Sequence, residues 1–315
     1  MTFTTYVPTA VDEDALDMLA TVGDVVHGFG DDAVSFEDIA ARVDAILLRT
    51  ASVSAEQIDA AGRLKIVARH GVGTDSVDVE AATRRGIPVT ITAQANSTSV
   101  AEHVFALLLA VNRRVAEADA GVRVLGWDRT RSALVGSELS GSTLGVLGFG
   151  RIGQRVARIA QGFGMNVLAT DAIADAAAFA AAATEKVSLD ELLRRSNVVS
   201  IHLPLTDSTR GLIDETAMAS MPDGAVIVNT ARGGIVDESA LVAHIASGHL
   251  GGAGLDVVEI EPLPTDSVLL GQPRIVMTPH LGGQTTQAMK RVATEAAQAI
   301  VDVAQGRTPL TIVNL

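Results

Sequence analysis

Short apolar runs of strand length alternate with longer helical patterns along most of the chain. Runs rich in valine, isoleucine and leucine occur at 43–48, 64–68, 87–91, 142–148, 166–170, 197–203, 224–230, 252–258 and 274–280. Because polar residues do not alternate regularly within them, these runs are typical of strands buried on both faces of a parallel sheet. The helical patterns between them predict right-handed β-α-β units and an open α/β fold.

Two long helices and one connecting loop are predicted outside these runs. One helix begins near Ser97 or Thr98 and keeps an apolar face as far as Val111, and another covers residues 285–306. The arginine- and glycine-rich stretch 120–141 predicts a connecting loop, and the alanine-rich stretch 175–184 predicts a helix or a loop.

Composition narrows the class of protein. The 315 residues, 48% of them hydrophobic, are enough for two domains. The absence of cysteine excludes disulfides and thiolate metal sites, and no metal site is predicted. A formal net charge of −13 argues against a nucleic-acid or anionic-membrane partner. The N-terminus lacks the pattern of a secretion signal and the longest apolar stretch, 104–111, is too short to span a bilayer, so we expect a cytoplasmic protein.

The stretch GVLGFGRIG, residues 145–153, has the glycine spacing of a dinucleotide-binding turn. Gly148, Gly150 and Gly153 follow an apolar run and precede a helical pattern. In this context the glycines permit a sharp turn, close approach of a pyrophosphate and tight packing of the helix, whose N-terminus favours phosphate. A tight turn without a ligand is the alternative interpretation, but the context favours a dinucleotide.

The next apolar run ends in Asp171, 18 residues past Gly153. An acid at this place accepts hydrogen bonds from ribose hydroxyls and repels a 2′-phosphate, so the sequence favours NAD over NADP. The alternative for Asp171 is an ordinary solvated turn acid.

Two polar residues at strand ends are candidates for chemistry. Arg232 has the planar geometry to pair with a carboxylate, although most arginines of any chain lie at the surface. His280 lies in a glycine-flanked loop and is a candidate general acid/base, and a nearby glutamate would hold its tautomer. Hydride transfer to a 2-keto acid needs such a cation and such a proton donor. Packing or surface roles are expected for the histidines His27, His103, His202, His244 and His249.

The chain resembles the D-isomer specific 2-hydroxyacid dehydrogenases in five stretches, GSTLGVLGFGRIGQRVA, NVVSIHLPLTDSTRGLI, VIVNTARGGIVDESAL, GAGLDVVEIEPLP and MTPHLGG. Residues 47–110 are similar to the family as well, so the resemblance covers most of the chain. The phosphoglycerate dehydrogenase and hydroxypyruvate/glyoxylate reductase branches look closest.

This resemblance implies two Rossmann-like domains with doubly wound parallel sheets. Residues 1–98 and 284–315 would form a discontinuous substrate domain and residues 99–283 the NAD-binding domain, with the active site in the cleft. It implies Arg232 as the anchor of the substrate carboxylate and carbonyl, His280 as the proton donor and Glu261 as the partner of His280.

Further site residues are implied in the same way. The amides of Val72 and Gly73 would bind the substrate carboxylate. Members are commonly homodimers joined through the NAD domain, with the helix at 98–114 and the following loop exchanged between subunits. Besides the three glycines, the residues implied to line NAD are Arg151, Ile152, Asp171, Thr230, Ala231, Asp256, Gly282 and Gly283.

The substrate stays open between 3-phosphoglycerate and hydroxypyruvate or glyoxylate. Arg49 and Arg69 match positions near the substrate phosphate in phosphoglycerate dehydrogenases; alternatively, Arg49 caps a strand and Arg69 pairs with an acid. His70 stands where small residues are more usual. The chain ends within ten residues of its last predicted helix, so we expect no appended serine-sensing domain. An NAD(H)-sensing binding module, similar to the C-terminal binding protein corepressors, is the alternative function.

Overall fold

The computed structural model describes residues 2–315 and divides into two compact units. The first unit comprises the residues up to Asn96 together with Gln284–Leu315, and the second comprises Ser97–Gly283. Each unit is built around its own parallel sheet, which confirms the predicted α/β class with two Rossmann-like sheets.

The sheet of the first unit has five parallel strands in the order β2-β1-β3-β4-β5. Ile46 and Leu48 belong to the apolar cluster on one face and Ala45 and Leu47 to the cluster on the other, all of them fully buried. Burial on both faces explains the unbroken apolar runs in the sequence. The strands are β1 (Phe3–Val7), β2 (Gly23–His27), β3 (Ala45–Leu48), β4 (Ile66–Arg69) and β5 (Val89–Thr90).

The sheet of the second unit has seven parallel strands in the order β12-β11-β10-β9-β6-β7-β8. The direction in which strands are added reverses between β6 and β9, which is the position where doubly wound sheets bind ligands. The strands are β6 (Thr143–Leu147), β7 (Asn166–Thr170), β8 (Glu185–Lys186), β9 (Val198–Ile201), β10 (Ala225–Asn229), β11 (Leu250–Leu255) and β12 (Ile275–Met277).

Helices connect the strands in both units, and most of them begin at an Asp, Ser or Thr side chain that caps the first turn. The helices are α1 (Glu13–Ala20), α2 (Phe36–Ile39), α3 (Ala55–Ala60), α4 (Val79–Arg84), α5 (Ser97–Asn112), α6 (Val115–Leu125), α7 (Trp127–Ala133), α8 (Arg151–Gly162), α9 (Ala176–Ala181), α10 (Leu189–Arg195), α11 (Glu215–Ala219), α12 (Glu238–Ala246) and α13 (Thr286–Ala304), with 3₁₀ turns at Ala40–Arg42 and Val268–Gly271. Between residues 2 and 315, every helix is too short or too polar to cross a membrane.

The prediction of a connecting loop at 120–141 was wrong, because α6 and α7 occupy much of this stretch. α6 buries none of its residues, and apolar side chains such as Val122 and Val124 are exposed, so no core-facing pattern marks this helix in the sequence. Ion pairs on its surface, such as Arg123 with Asp119 at 2.9 Å, support the helix instead. The pattern also missed β1, β2 and β8, since two are only half-buried or exposed and β1 carries threonines.

Candidate active site

The glycine-rich turn after β6 is shaped by contacts that exclude side chains. Gly148 has φ +92°, and a Cβ there would lie 2.5 Å from the carbonyl oxygen of His202. A Cβ on Gly153 would lie 2.2 Å from the carbonyl oxygen of Gly148. Gly150 differs, because its Cβ would meet no atom within 4 Å. Two glycines therefore close the turn, and the third leaves open space beside it.

The N-terminus of α8 meets this open space. Unlike the capped helices, α8 has Gly150 at its N-cap and no side-chain cap. α8 begins at Arg151; the N–H groups of Ile152 and Gly153 in its first turn have no acceptor within the helix by geometry, and Ile152 also packs on the core. An uncapped helix N-terminus beside an open glycine fits a phosphate group.

Asp171 lies at the end of β7 and organises the same turn. Its Oδ2 accepts from the N–H of Phe149 at 2.6 Å, and its Oδ1 accepts from the N–H groups of Ile173 and Ala174. Burial acts to raise the pKa of Asp171, but these backbone donors and the charge of Lys186 outweigh it and keep the pKa below the usual value. A carboxylate held ionised at this position fits ribose hydroxyls and disfavours a 2′-phosphate.

The turn after β10 carries Arg232 and two of the residues implied to line NAD. Asn229 fixes this turn, since its side chain donates to the carbonyl of Arg232 at 2.8 Å and accepts from the N–H of Ala231 at 3.0 Å. The guanidinium of Arg232 donates to the carbonyl of Ala231 at 2.7 Å. Thr230 Oγ1 is buried without a hydrogen-bond partner, which fits a polar group of a ligand.

His280 and Glu261 meet at the carboxyl ends of neighbouring strands. His280 follows β12 and Glu261 follows β11, and His280 Nδ1 lies 2.9 Å from Glu261 Oε2. The side chains are 53% and 40% exposed, so the pair is accessible to a small molecule. A carboxylate can only accept, so Nδ1 carries the hydrogen of this bond. His280 also has φ +55°, a conformation that L residues adopt only where the surroundings hold it.

Asp256 at the end of β11 holds the loop that carries His280. Its carboxylate accepts from the Thr278 hydroxyl at 2.6 Å and from the N–H groups of Leu281 and Gly282 at 2.7 and 2.8 Å. A Cβ on Gly282 would lie 2.9 Å from Asp256 Oδ2, so the loop approaches this closely because residue 282 is glycine. Gly283 follows in the same turn.

Two further residues, which the sequence does not mark, contact the loops that carry His280 and Glu261. His103 of α5, for which the sequence predicts a packing or surface role, lies 2.8 Å from Thr278 Oγ1 and 3.2 Å from Asp256 Oδ1. Glu238 accepts from the N–H of Glu259 at 2.6 Å and so anchors the loop of Glu261. Burial raises the pKa of Glu238. No sequence signal marks either residue, because each contact joins segments far apart in the chain.

The arginines of the first unit bind backbone carbonyls. Arg69 donates from Nε to the carbonyl of Gly73 at 2.9 Å and from one terminal nitrogen to those of Leu48, Arg49 and His70. Arg49 donates to the carbonyl of Ala10 at 2.9 Å. Val72 lies between these contacts and is 44% exposed. Both arginines therefore stabilise the backbone at the strand ends, while their contact with a substrate phosphate stays a prediction.

His70 is buried beside these arginines, with Nε2 unpartnered. Desolvation lowers its pKa to about 4, and the charges of Arg49 and Arg69 act in the same direction. The ring is therefore neutral at physiological pH.

Residues 105–282 match the model of the D-isomer specific 2-hydroxyacid dehydrogenase, NAD binding domain. This match covers more than half of the chain and the whole glycine-rich turn. The chain belongs to the D-isomer specific 2-hydroxyacid dehydrogenase family, and its second unit carries the NAD binding domain. NAD is thus the cofactor. This agrees with the open space beside Gly150, the N-terminus of α8 without a side-chain cap and the position of Asp171.

Individual relatives and a solved structure support this family assignment. The chain is 46% identical over 293 residues to D-3-phosphoglycerate dehydrogenase of Mycobacterium leprae, covering 92% of this chain but 55% of that protein. It is 44% identical over 263 residues to hydroxypyruvate reductase of Thermotoga maritima, covering 82% and 84% of the two chains. A structure of D-lactate dehydrogenase from Aquifex aeolicus, complexed with NAD and lactic acid, superimposes with a TM-score of 0.82, at 30% identity and 96% coverage of both chains. The chain thus spans about half the length of the mycobacterial relative.

Proposed function

We propose that the protein is an NAD-dependent dehydrogenase that interconverts a D-2-hydroxy acid and its 2-keto acid. The observation that carries the proposal is the contact of His280 with Glu261 at 2.9 Å, in the loops that follow β12 and β11 of the NAD binding domain. The family and the names of the relatives support the same class of reaction.

The residues divide the chemistry as follows. The cofactor, when bound, would supply a hydride to carbon 2 of the 2-keto acid as NADH and accept it from the 2-hydroxy acid as NAD. Arg232 pairs with the substrate carboxylate and stabilises the charge that develops on the carbonyl oxygen. His280 gives a proton to that oxygen in reduction and removes it in oxidation, and Glu261 stabilises the protonated ring through Nδ1. The Val72 and Gly73 amides remain the predicted second contact of the carboxylate.

Among substrates, we favour hydroxypyruvate and glyoxylate, with 3-phosphoglycerate as the competitor. Relatives of both kinds are similar to the chain, at 44% identity for the hydroxypyruvate reductase and 46% for the phosphoglycerate dehydrogenase. The guanidinium of Arg69 donates to the carbonyls of four residues and His70 is neutral, which favours a substrate without a phosphate.

The decisive experiment is a substrate panel. NADH oxidation is followed with hydroxypyruvate, glyoxylate, pyruvate and phenylpyruvate, and NAD reduction with 3-phosphoglycerate. Turnover of one of these acids is expected, and chiral analysis of the product should give the D isomer. Tight NADH binding without turnover of any acid would contradict the proposal and favour an NAD(H)-sensing binding module.

We also propose that the protein is a homodimer in the cytoplasm. The segment α6–α7 buries little and exposes large apolar side chains, among them Val124 at 80% and Trp127 at 69%. A second copy of the chain would cover this surface. Sedimentation analysis should give a dimer for the wild type and a monomer for Trp127→Asp. A wild-type monomer at micromolar concentration would contradict the dimer.

A further inference from the structure

A histidine of α5 touches the carboxylate that fixes the His280 loop. His103 Nε2 lies 2.8 Å from Thr278 Oγ1 and 3.2 Å from Asp256 Oδ1. The side chain of His103 is 19% exposed and that of Asp256 is 1% exposed. Polar contacts shielded from water in this way are strengthened, and an unpaired member is costly.

The direction of each hydrogen bond in this cluster follows from its chemistry. The single hydroxyl hydrogen of Thr278 is donated to Asp256 Oδ1 at 2.6 Å, so its oxygen can only accept from His103. The carboxylate of Asp256 likewise only accepts. Both contacts therefore require a hydrogen on His103 Nε2, which makes His103 the donor to the cluster.

Asp256 also holds the backbone of the loop that begins at His280. The N–H of His280 donates to the carbonyl oxygen of Asp256 at 2.8 Å, and the next two N–H groups donate to its carboxylate. Burial acts to raise the pKa of Asp256, while hydrogen bonds from His103, Thr278 and the loop keep it below the usual value. The carbonyl and carboxylate of Asp256 thus accept from three successive N–H groups, beginning with that of His280, whose backbone is left-handed with φ +55°.

We propose that His103 is a positioning residue of the active site. By donating to Thr278 and Asp256, it holds the Asp256 carboxylate in place and thereby keeps the His280 imidazole at Glu261. This inference rests on the proposed function, because positioning matters only where His280 exchanges a proton with substrate.

The test compares His103→Leu, which removes the donor, with His103→Gln, whose amide N–H can replace it. His244→Leu is the matched control, since His244 is another half-buried helical histidine of the second unit. We expect His103→Leu to lower kcat by about 10²-fold, as misplaced catalytic groups do, with a smaller change in KM and an unchanged Kd for NADH. His103→Gln should restore most of the loss.

A second measurement separates positioning from general stability. In the protein without NADH, the chemical shifts of the ring of ¹³C-labelled His280 should change in His103→Leu but not in His244→Leu. If His103→Leu does not fold, Thr278→Val removes the acceptor of His103 and should change the same signals.

Two results would overturn the inference. One is an unchanged kcat with unchanged His280 signals in His103→Leu. The other is a lower kcat that accompanies a lower Tm while the His280 signals stay as in the wild type. A wild type that turns over no 2-keto or 2-hydroxy acid would instead refute the proposed function. The two failures can be distinguished, because the His280 signals report whether His103 holds the loop even without turnover.

Discussion

The carboxyl ends of the two sheets carry similar residue types and use them differently. In the second unit, His280 pairs with the carboxylate of Glu261, and both side chains are about half exposed. In the first unit, the guanidinium of Arg69 is enclosed by the carbonyls of Leu48, Arg49, His70 and Gly73, and the ring of His70 is buried.

This difference shows what separates a residue that takes part in chemistry from one that stabilises the backbone. An accessible ring beside a carboxylate can change its protonation during turnover without loss of the fold. A guanidinium that satisfies several carbonyls cannot leave them without exposing unpaired acceptors. Position at a strand end therefore does not suffice to assign function; the acceptor and the exposure of the side chain decide.

The largest effect should come from His280→Gln. If the ring of His280 exchanges the proton, its loss should lower kcat by about 10²–10⁴-fold. The Kd for NADH, measured by fluorescence, should stay near the wild-type value, because the glycine turn is untouched. A kcat within a few-fold of the wild type would place the chemistry elsewhere and remove the contrast between the units.

The next largest effect distinguishes Gly148, which closes the glycine-rich turn, from Gly150, which leaves open space beside it. Gly148→Ala places a Cβ 2.5 Å from a carbonyl oxygen at a positive φ and should lower the free energy of unfolding by roughly 2–6 kcal/mol. Gly150→Ala meets no atom within 4 Å and should leave this free energy unchanged while weakening NADH binding at least about tenfold. Urea unfolding and NADH titration measure the two quantities. Equal NADH affinity in Gly150→Ala and the wild type would exclude the open side of Gly150 as the phosphate site.

His70 should make stability depend on pH. Its pKa is about 4 in the folded state, against 6.5 when unfolded, so below pH 6.5 the unfolded chain binds a proton more readily. The neutral ring of His70 therefore contributes to the free energy of unfolding. This contribution is fully present above pH 6.5 and is lost as the pH falls through 4, by an amount on the order of 3 kcal/mol. Urea unfolding from pH 7 to 4 should show a shallower decline for His70→Leu than for the wild type or His244→Leu. Parallel curves for all three proteins would contradict a buried neutral His70.

The smallest effect is expected from the first unit's arginines. Arg69→Met leaves several carbonyls unpaired and should lower the free energy of unfolding by roughly 1–3 kcal/mol, whereas Arg49→Met, with its bond to Ala10, should cost less. Neither change should selectively raise KM for 3-phosphoglycerate over hydroxypyruvate. A selective rise for 3-phosphoglycerate would restore the phosphate role predicted from the sequence.

Much of the fold could be predicted because the central strands are buried on both faces. The runs at 43–48 and 166–170 overlap or equal β3 and β7, and the helix near Ser97 is α5. Prediction failed where burial does not shape the pattern, as in the fully surface-lying α6. It failed as well for β2, which is only partly buried.

The sequence by itself determined the family, the NAD-binding turn and the identity of Arg232, Glu261 and His280 as candidates, because these features lie in contiguous motifs whose spacing is set by local backbone geometry. Only the tertiary structure decided that His280 meets Glu261, that Arg69 binds carbonyls and that His103 donates to the Asp256 cluster. The contacts of His280 and His103, and those of Arg69 with the carbonyls of Leu48 and Arg49, join different strands, loops or helices. Such pairings depend on how the strands are ordered in the sheet, which no local pattern specifies.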